Sequence, residues 1–391
     1  MLSTRFAFLA LATLLLLQAC KPSSTPNVPE IELDEYVMLS AVLDIPERAY
    51  AYSEIELPNF LSVPPVVNTD NTPAGNPITD EGATLGRVLF YDTKLSANNT
   101  IACASCHFQE NSFTDTQPLS RGFAGELTGR HSMSLANARY YENGHFFWDE
   151  RAASLEEQTL LPIQDHIEMG LDLETLEEKL AGEYYYHILF HQAFGDSRIT
   201  SERVSLALSQ FVRSMLSFNS KYDEGLAQLP PGPPNPNQDI PGFTAEENLG
   251  RAIFLDPARG NCAVCHRTDL FIGDQARNNG LDRVLVDNGL GDVTGNAADN
   301  GKFKVPSLRN VALTNPYMHD GRFASLRQVV NFYNNGVQPH PNLDPRLRVP
   351  GTNQPRRLNL NPAEVNALVA FMETLTDESF VEDVRFSDPF K

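Results

Sequence analysis

Cys103-Ala-Ser-Cys106-His107 and Cys262-Ala-Val-Cys265-His266 are two copies of one five-residue pattern. Cys-x-x-Cys-His is the c-type haem attachment signature. Its two thiols add to the haem vinyl groups, and the adjacent His is placed to ligate the iron from the proximal side. A bare Cys-x-x-Cys could instead bind zinc or act as a redox pair. A His directly after the pair, twice over, with Cys20 the one cysteine left, sets those readings aside.

Working outward, each copy is preceded by the same lead-in. Leu85-Gly-Arg-Val-Leu-Phe90-Tyr-Asp92 stands before the first and Leu249-Gly-Arg-Ala-Ile-Phe254-Leu-Asp256 before the second. The offset is 164 residues between the lead-ins and 159 between the motifs, so a five-residue insertion lies within 93–100. Each lead-in reads as a short helix entering a haem-binding turn, and Thr244 with Glu247 forms a capping box for the second. This is a duplicated cytochrome c unit. Val204, Leu208, Phe211, Val212 and Met215 recur at helical spacing. Ser154 with Glu157 caps a helix carrying Gln158. Asn361, Pro362 and Glu364 start a last helix with Ala367, Leu368, Phe371 and Leu375 on one face. No stretch has the alternation of a large sheet. The expected fold is mostly α, with two tandem cytochrome c-type haem domains at 76–228 and 243–391, joined by a Pro-rich linker at 229–242.

Composition bounds the rest. Of 391 residues, 41% are hydrophobic and 20% charged, which excludes wholesale disorder. Fifty acidic residues against 30 basic give a formal charge of −20, which argues against a nucleic-acid partner. Five cysteines are too few for a disulfide scaffold. Residues 1–18 read as a signal peptide: Arg5 supplies the positive start, and residues 6–17 form an apolar run too short to span a bilayer comfortably. The run ends in Leu17-Gln18-Ala19-Cys20, which resembles a bacterial lipobox. On that reading residues 1–19 are removed and Cys20 is lipidated, anchoring the chain on the periplasmic side of a bacterial membrane. An ordinary signal peptide with an incidental cysteine is the alternative. A polar tether follows at the start of an N-terminal segment spanning 20–75.

Further motifs carry a resemblance. Phe147-Trp148-Asp149, Glu168-Met169-Gly170, Phe303-Lys-Val-Pro-Ser-Leu-Arg-Asn310 and Pro316-Tyr-Met-His-Asp-Gly321 stand in order around the two haem motifs. From about Leu85 onward the chain resembles the bacterial dihaem cytochrome c peroxidases and their MauG-like relatives. Its ending, Leu375-Thr-Asp-Glu and then Arg385-Phe-Ser-Asp-Pro389, resembles the MauG-like branch that includes the MbnH-type enzymes. The resemblance implies that the first domain is peroxidatic and the second handles electron transfer. It makes Glu168 the acid/base carboxylate of the peroxide-binding haem, where O–O cleavage needs a proton moved between the two oxygens. Gln158 becomes an amide in the same pocket. Trp148, the one Trp in the chain, becomes the indole between the haems. Asn137, Thr314 and Pro316 match positions that bind an interdomain calcium ion through oxygen, as a hard cation prefers.

Two departures from the familiar peroxidases stand out. They place a distal His in the loop after the first motif; here Phe123 occupies that register, with His131 and His166 nearby. The first haem is therefore expected to be open to peroxide without priming, unless His131 folds back as a ligand. At the second haem they place Met, whereas here Tyr333 matches, as in MauG-like enzymes. Met318 and Met372 are the competing ligands. A phenolate favours the higher oxidation states; a thioether raises the potential. The expected activity is reduction of hydrogen peroxide with electrons from a small c-type cytochrome or similar redox protein. One alternative is peroxide-driven oxidation of residues in a partner protein. A second is a dihaem electron carrier, which would have no use for a polar distal pocket.

Overall fold

The computed structural model describes residues 34–59, 61–230, 235 and 237–391. The leader, Cys20 and part of the Pro-rich linker lie outside the described residues.

Both lead-ins form helices, and both pack in one way. Asp80–Tyr91 crosses Ser201–Ser214, and Ala245–Leu255 crosses Pro362–Glu373. The repeated glycine explains the closeness of each crossing. A Cβ on Gly86 would lie 2.1 Å from the Ala207 carbonyl oxygen, and one on Gly250 1.8 Å from that of Ala367. Only glycine lets backbone meet backbone at that distance. The repeated apolar positions then close the cores. Phe90 and Phe254 are both buried, each contributing about 1.5–3 kcal/mol. The repeated arginines are buried straps: Arg87 Nε donates to Ser387 O (2.6 Å), and Arg251 Nη1 donates to Asn235 O and Gln238 O (both 3.0 Å).

The expected caps form. Thr244 Oγ1 accepts from Glu247 N while Glu247 returns the bond, and Asn361 caps two amides with Pro362 behind it. Ser154 Oγ accepts from Glu157 N (3.1 Å) and starts the Leu155–Gln164 helix that carries Gln158. Among the described residues, extended pairing is confined to isolated bridges, with no strand.

A second level of repetition joins the halves. Ser134-Leu-Ala-Asn137 and Ser307-Leu-Arg-Asn310 each end in a fully buried asparagine with φ of 60°. Asn137 pairs with the Ser217 backbone, donating to its carbonyl (3.1 Å) and accepting from its amide (3.0 Å). Asn310 Nδ2 donates to Ser217 Oγ (3.0 Å), and its Oδ1 accepts from Asp377 N (2.7 Å). Ser217 is thus gripped from both sides, and residues 35–391 pack as one unit. The chain end returns to the first half: Phe380 and Phe386 join its core, with the Phe380 ring 5.7 Å from Phe113 and Phe386 6.2 Å from Phe211.

Candidate active site

Behind each motif lies a cavity. Cys103, Cys106 and His107 line the first; Cys262, Cys265 and His266 line the second. All four thiols are unpaired. Burial pushes Cys103 and Cys262 up to about 12, and Cys106 and Cys265 to about 11. The imidazoles are oriented identically. His107 Nδ1 meets Phe113 O at 2.7 Å, and His266 Nδ1 meets Phe271 O at 3.2 Å. Both phenylalanines have positive φ, 61° and 52°, which turns each carbonyl toward its ring. A carbonyl on Nδ1 fixes the tautomer that leaves Nε2 for a metal. Burial also lowers the basicity of both rings, keeping them neutral as ligation requires. Paired wall thiols and oriented neutral imidazoles fit a covalently attached haem in each cavity.

The cavities differ in the helices that help to line them. Trp148-Asp-Glu-Arg-Ala-Ala-Ser-Leu155 and His319-Asp-Gly-Arg-Phe-Ala-Ser-Leu326 are equivalent stretches, and each leads into a cavity-lining helix. In that register Gln158 matches Val329, and Pro162 matches Tyr333. Gln158 and Pro162 line the first cavity, Val329 and Tyr333 the second. One position thus supplies a ring without a donor to the first site and a phenol to the second.

Glu168 also lines the first cavity. Burial, with repulsion from Asp165, pushes its carboxyl up to about 7, and Arg151 opposes the shift. No histidine plugs this space from the loop after the motif. Phe123 packs its ring over Gly170 and donates its N–H to Glu168 O (3.0 Å). His166 is exposed. His131 is a wall residue with both nitrogens engaged, Nδ1 on Gln117 O (3.0 Å) and Nε2 on Thr114 Oγ1 (3.2 Å).

In the second cavity Tyr333 sits on a π-helical turn, Phe332–Gly336, that follows the Leu326–Asn331 helix. Such turns re-aim side chains at functional sites. Burial pushes the Tyr333 phenol up to about 12, partly offset by a hydrogen bond from Asn279 Nδ2 (3.3 Å). Met318 lines the same cavity beside it, while Met372 lines it from the Pro362–Glu373 helix and belongs to the second core.

Trp148, His131 and Lys304 line both cavities. Their backbones are exchanged between halves: His131 N donates to His319 O (2.8 Å), and Lys304 N to Trp148 O (2.7 Å). The indole N–H donates to His131 O (2.8 Å), and its ring meets His319 edge-on at 6.4 Å. Lys304 lies 3.9 Å from the centroid of Tyr141 and 4.5 Å from that of Phe146, and burial lowers its amine to about 7.

Comparison with known proteins fits this arrangement. The family described as di-haem cytochrome c peroxidase matches residues 80–229, and that described as cytochrome c matches 248–376. The methylamine utilization protein MauG of Methylophilus methylotrophus is 31% identical over 303 residues, covering 78% of this chain and 84% of that protein. The chain belongs to the dihaem cytochrome c peroxidase and MauG family. The cytochrome c551 peroxidase of Nitrosomonas europaea is 32% identical over 309 residues, 78% of this chain and 83% of its own length. The crystal structure of a MauG-like protein associated with microbial copper homeostasis superposes with a TM-score of 0.71 at 33% identity, over 86% of this chain and 99% of that one.

Membership in this family makes the protein a peroxide-dependent oxidoreductase with two covalent c-type haems. Thr314 and Pro316 line the second cavity, whereas Asn137 lines neither and has its amide on Ser217. The sequence reading missed Lys304, Asn279 and the equivalence of Trp148 with His319. The shared Asp-x-Arg-x-x-Ser-Leu pattern after both residues carries the signal for the last of these.

Proposed function

We propose that the protein reduces hydrogen peroxide to water at the first cavity, with electrons delivered through the second from a small c-type cytochrome or similar redox protein. The observation that carries this reading is the asymmetry of the two equivalent helices: Gln158 and Pro162 face one cavity where Val329 and Tyr333 face the other. A haem supplies the iron on which a peroxide O–O bond can be split. His107, fixed by Phe113 O, would hold it in the first cavity. Glu168 takes the proton from the near oxygen of peroxide and returns it to the far one, which leaves as water. A carboxyl at about 7 suits both directions near neutral pH. Gln158 offers an amide to orient the peroxide. Trp148, lining both cavities, is the path between them. His266 and Tyr333, which both line the second cavity, would hold the second haem. Two electrons and two protons complete the reduction of one peroxide to two waters.

The test is steady-state oxidation of reduced c-type cytochromes by the haem-loaded protein with peroxide. Turnover coupled one-to-two with cytochrome supports the reading. Peroxide consumption without cytochrome oxidation favours the second reading, oxidation of residues in a partner protein. A phenol in the second cavity and an unplugged first one are the features that favour it. The acidic chain, with a formal charge of −20, complements a basic partner in either case.

The same proposal places the chain on the periplasmic side of a bacterial membrane, held by lipid on Cys20. Its support is the leader sequence alone, and loss of detergent-phase partitioning in Cys20→Ser is the test. The calcium ion implied by the family resemblance would be held by Asn137, Thr314 and Pro316, and Asn137 Oδ1 retains a lone pair beside its bond from Ser217 N. Chelation that leaves the spectra of both haems unchanged would remove it from the account.

A further inference from the structure

We propose that Asn279 is a positioning residue that selects Tyr333 over Met318 as the distal ligand of the second haem. The inference rests on the reading above, in which Tyr333 holds that haem. Asn279 Nδ2 lies 3.3 Å from Tyr333 Oη and 3.7 Å from Met318 Sδ, so one donor faces both competitors.

The amide cannot be turned the other way without loss. Its Oδ1 accepts the Leu281 N–H (3.1 Å), which commits Nδ2 to the cavity. The loop bearing it is clamped to the segment that follows the π-helical turn. Gln338 N donates to Gly280 O (2.7 Å), and Asp344 N to Asn278 O (2.9 Å). Gly280 has a φ of +70°, and a Cβ there would lie 2.7 Å from Gln338 O. Donor and phenol therefore belong to one rigid assembly, the condition for an outer partner to set a ligand.

The selection follows from acceptor chemistry. A bond from an amide N–H to an anionic phenolate oxygen is charge-assisted and about twice as strong as a neutral one. A thioether sulfur is a weak acceptor. The same N–H thus stabilises ligation by Tyr333 much more than ligation by Met318. It also withdraws charge from the phenolate, making the second haem easier to reduce than an unassisted phenolate would.

The test compares the ferric, haem-loaded protein with Asn279→Ser, whose short hydroxyl can still accept the Leu281 N–H but cannot reach the phenol, and with Asn279→Leu as a second variant. Resonance Raman spectroscopy reads phenolate ligation, with Tyr333→Phe assigning the modes. Spectroelectrochemistry reads the midpoint of each haem. In both Asn279 variants the ligand ratio is expected to move toward Met318 by about tenfold. As the thioether replaces the phenolate the second midpoint rises, while the first is unmoved. Asn279→Ser combined with Met318→Leu regains the phenolate modes, with a midpoint below that of the unaltered protein. Unchanged modes and midpoint in either single variant overturn the selection while Tyr333 stands as ligand. Absence of phenolate modes from the unaltered protein overturns both.

Discussion

Replacing Glu168 with Gln removes a titratable group and keeps its shape. The carboxyl is buried among cavity-wall residues, repelled by Asp165 and drawn toward ionisation by Arg151, and it titrates at about 7. Only the carboxylate can accept the peroxide proton. About half the molecules carry it at a pH of about 7, about one in ten a unit lower and about nine in ten a unit higher. The second-order rate with peroxide should therefore fall nearly tenfold per unit on the acid side of 7, then level above about 8. An unshifted carboxyl would give no such limb in this range. Glu168→Gln should lose the limb and at least about tenfold of the rate at its plateau, with roughly 10²–10⁴-fold the full contribution of a general acid–base group. Asp165→Asn keeps the acceptor that holds Ile167 N and Glu168 N but removes the repulsion, so the limb should move to lower pH. Stopped-flow absorbance at the Soret band across the pH range is the assay. A Glu168→Gln protein that keeps the limb and reacts within twofold of the original rate would refute the reasoning.

Other outcomes follow from the packing and the second cavity. Gly250→Ala should lower the denaturant midpoint by the equivalent of about 1–3 kcal/mol, because its Cβ would meet the Ala367 carbonyl at 1.8 Å; an unshifted midpoint would show that the crossing has slack. Tyr333→Phe should change the ferric spectrum of the second haem while Met318→Leu does not, and the reverse result would make Met318 the ligand. Trp148→Phe should leave both resting spectra intact but slow the response of the second haem after peroxide is added. An unaltered response in that variant would remove Trp148 from the path.

The parts legible in the sequence are those in which local residues decide geometry. Cys-x-x-Cys-His fixes attachment within five residues, and the Leu-Gly-Arg lead-ins fix two helix crossings because nothing larger than Gly86 or Gly250 fits them. Caps at Ser154, Thr244 and Asn361 are equally local. The sequence singles out Glu168, which does line the first cavity, but its raised pKa is not legible there, because burial and Asp165 together set it. His131 shows the limit of proximity: it is near the first motif in sequence, yet Gln117 and Thr114 occupy its ring. Lys304 and Asn279 were illegible for the opposite reason. Each acts on a residue far along the chain, Trp148 and Tyr333, across a junction that sequence spacing does not reveal. The return of Phe380 and Phe386 to the first core is likewise a tertiary fact.

On the proposed reading the first haem site is open, with no residue to displace before peroxide enters. Mixing the fully ferric, haem-loaded protein with hydrogen peroxide in a stopped-flow cell, with no reductant present, tests it directly. A fast change at the Soret band is the result expected from Phe123 on Gly170 and His131 held in the wall. A silent ferric protein that responds only after half-reduction would contradict it, showing that a ligand caps the first iron until an electron arrives.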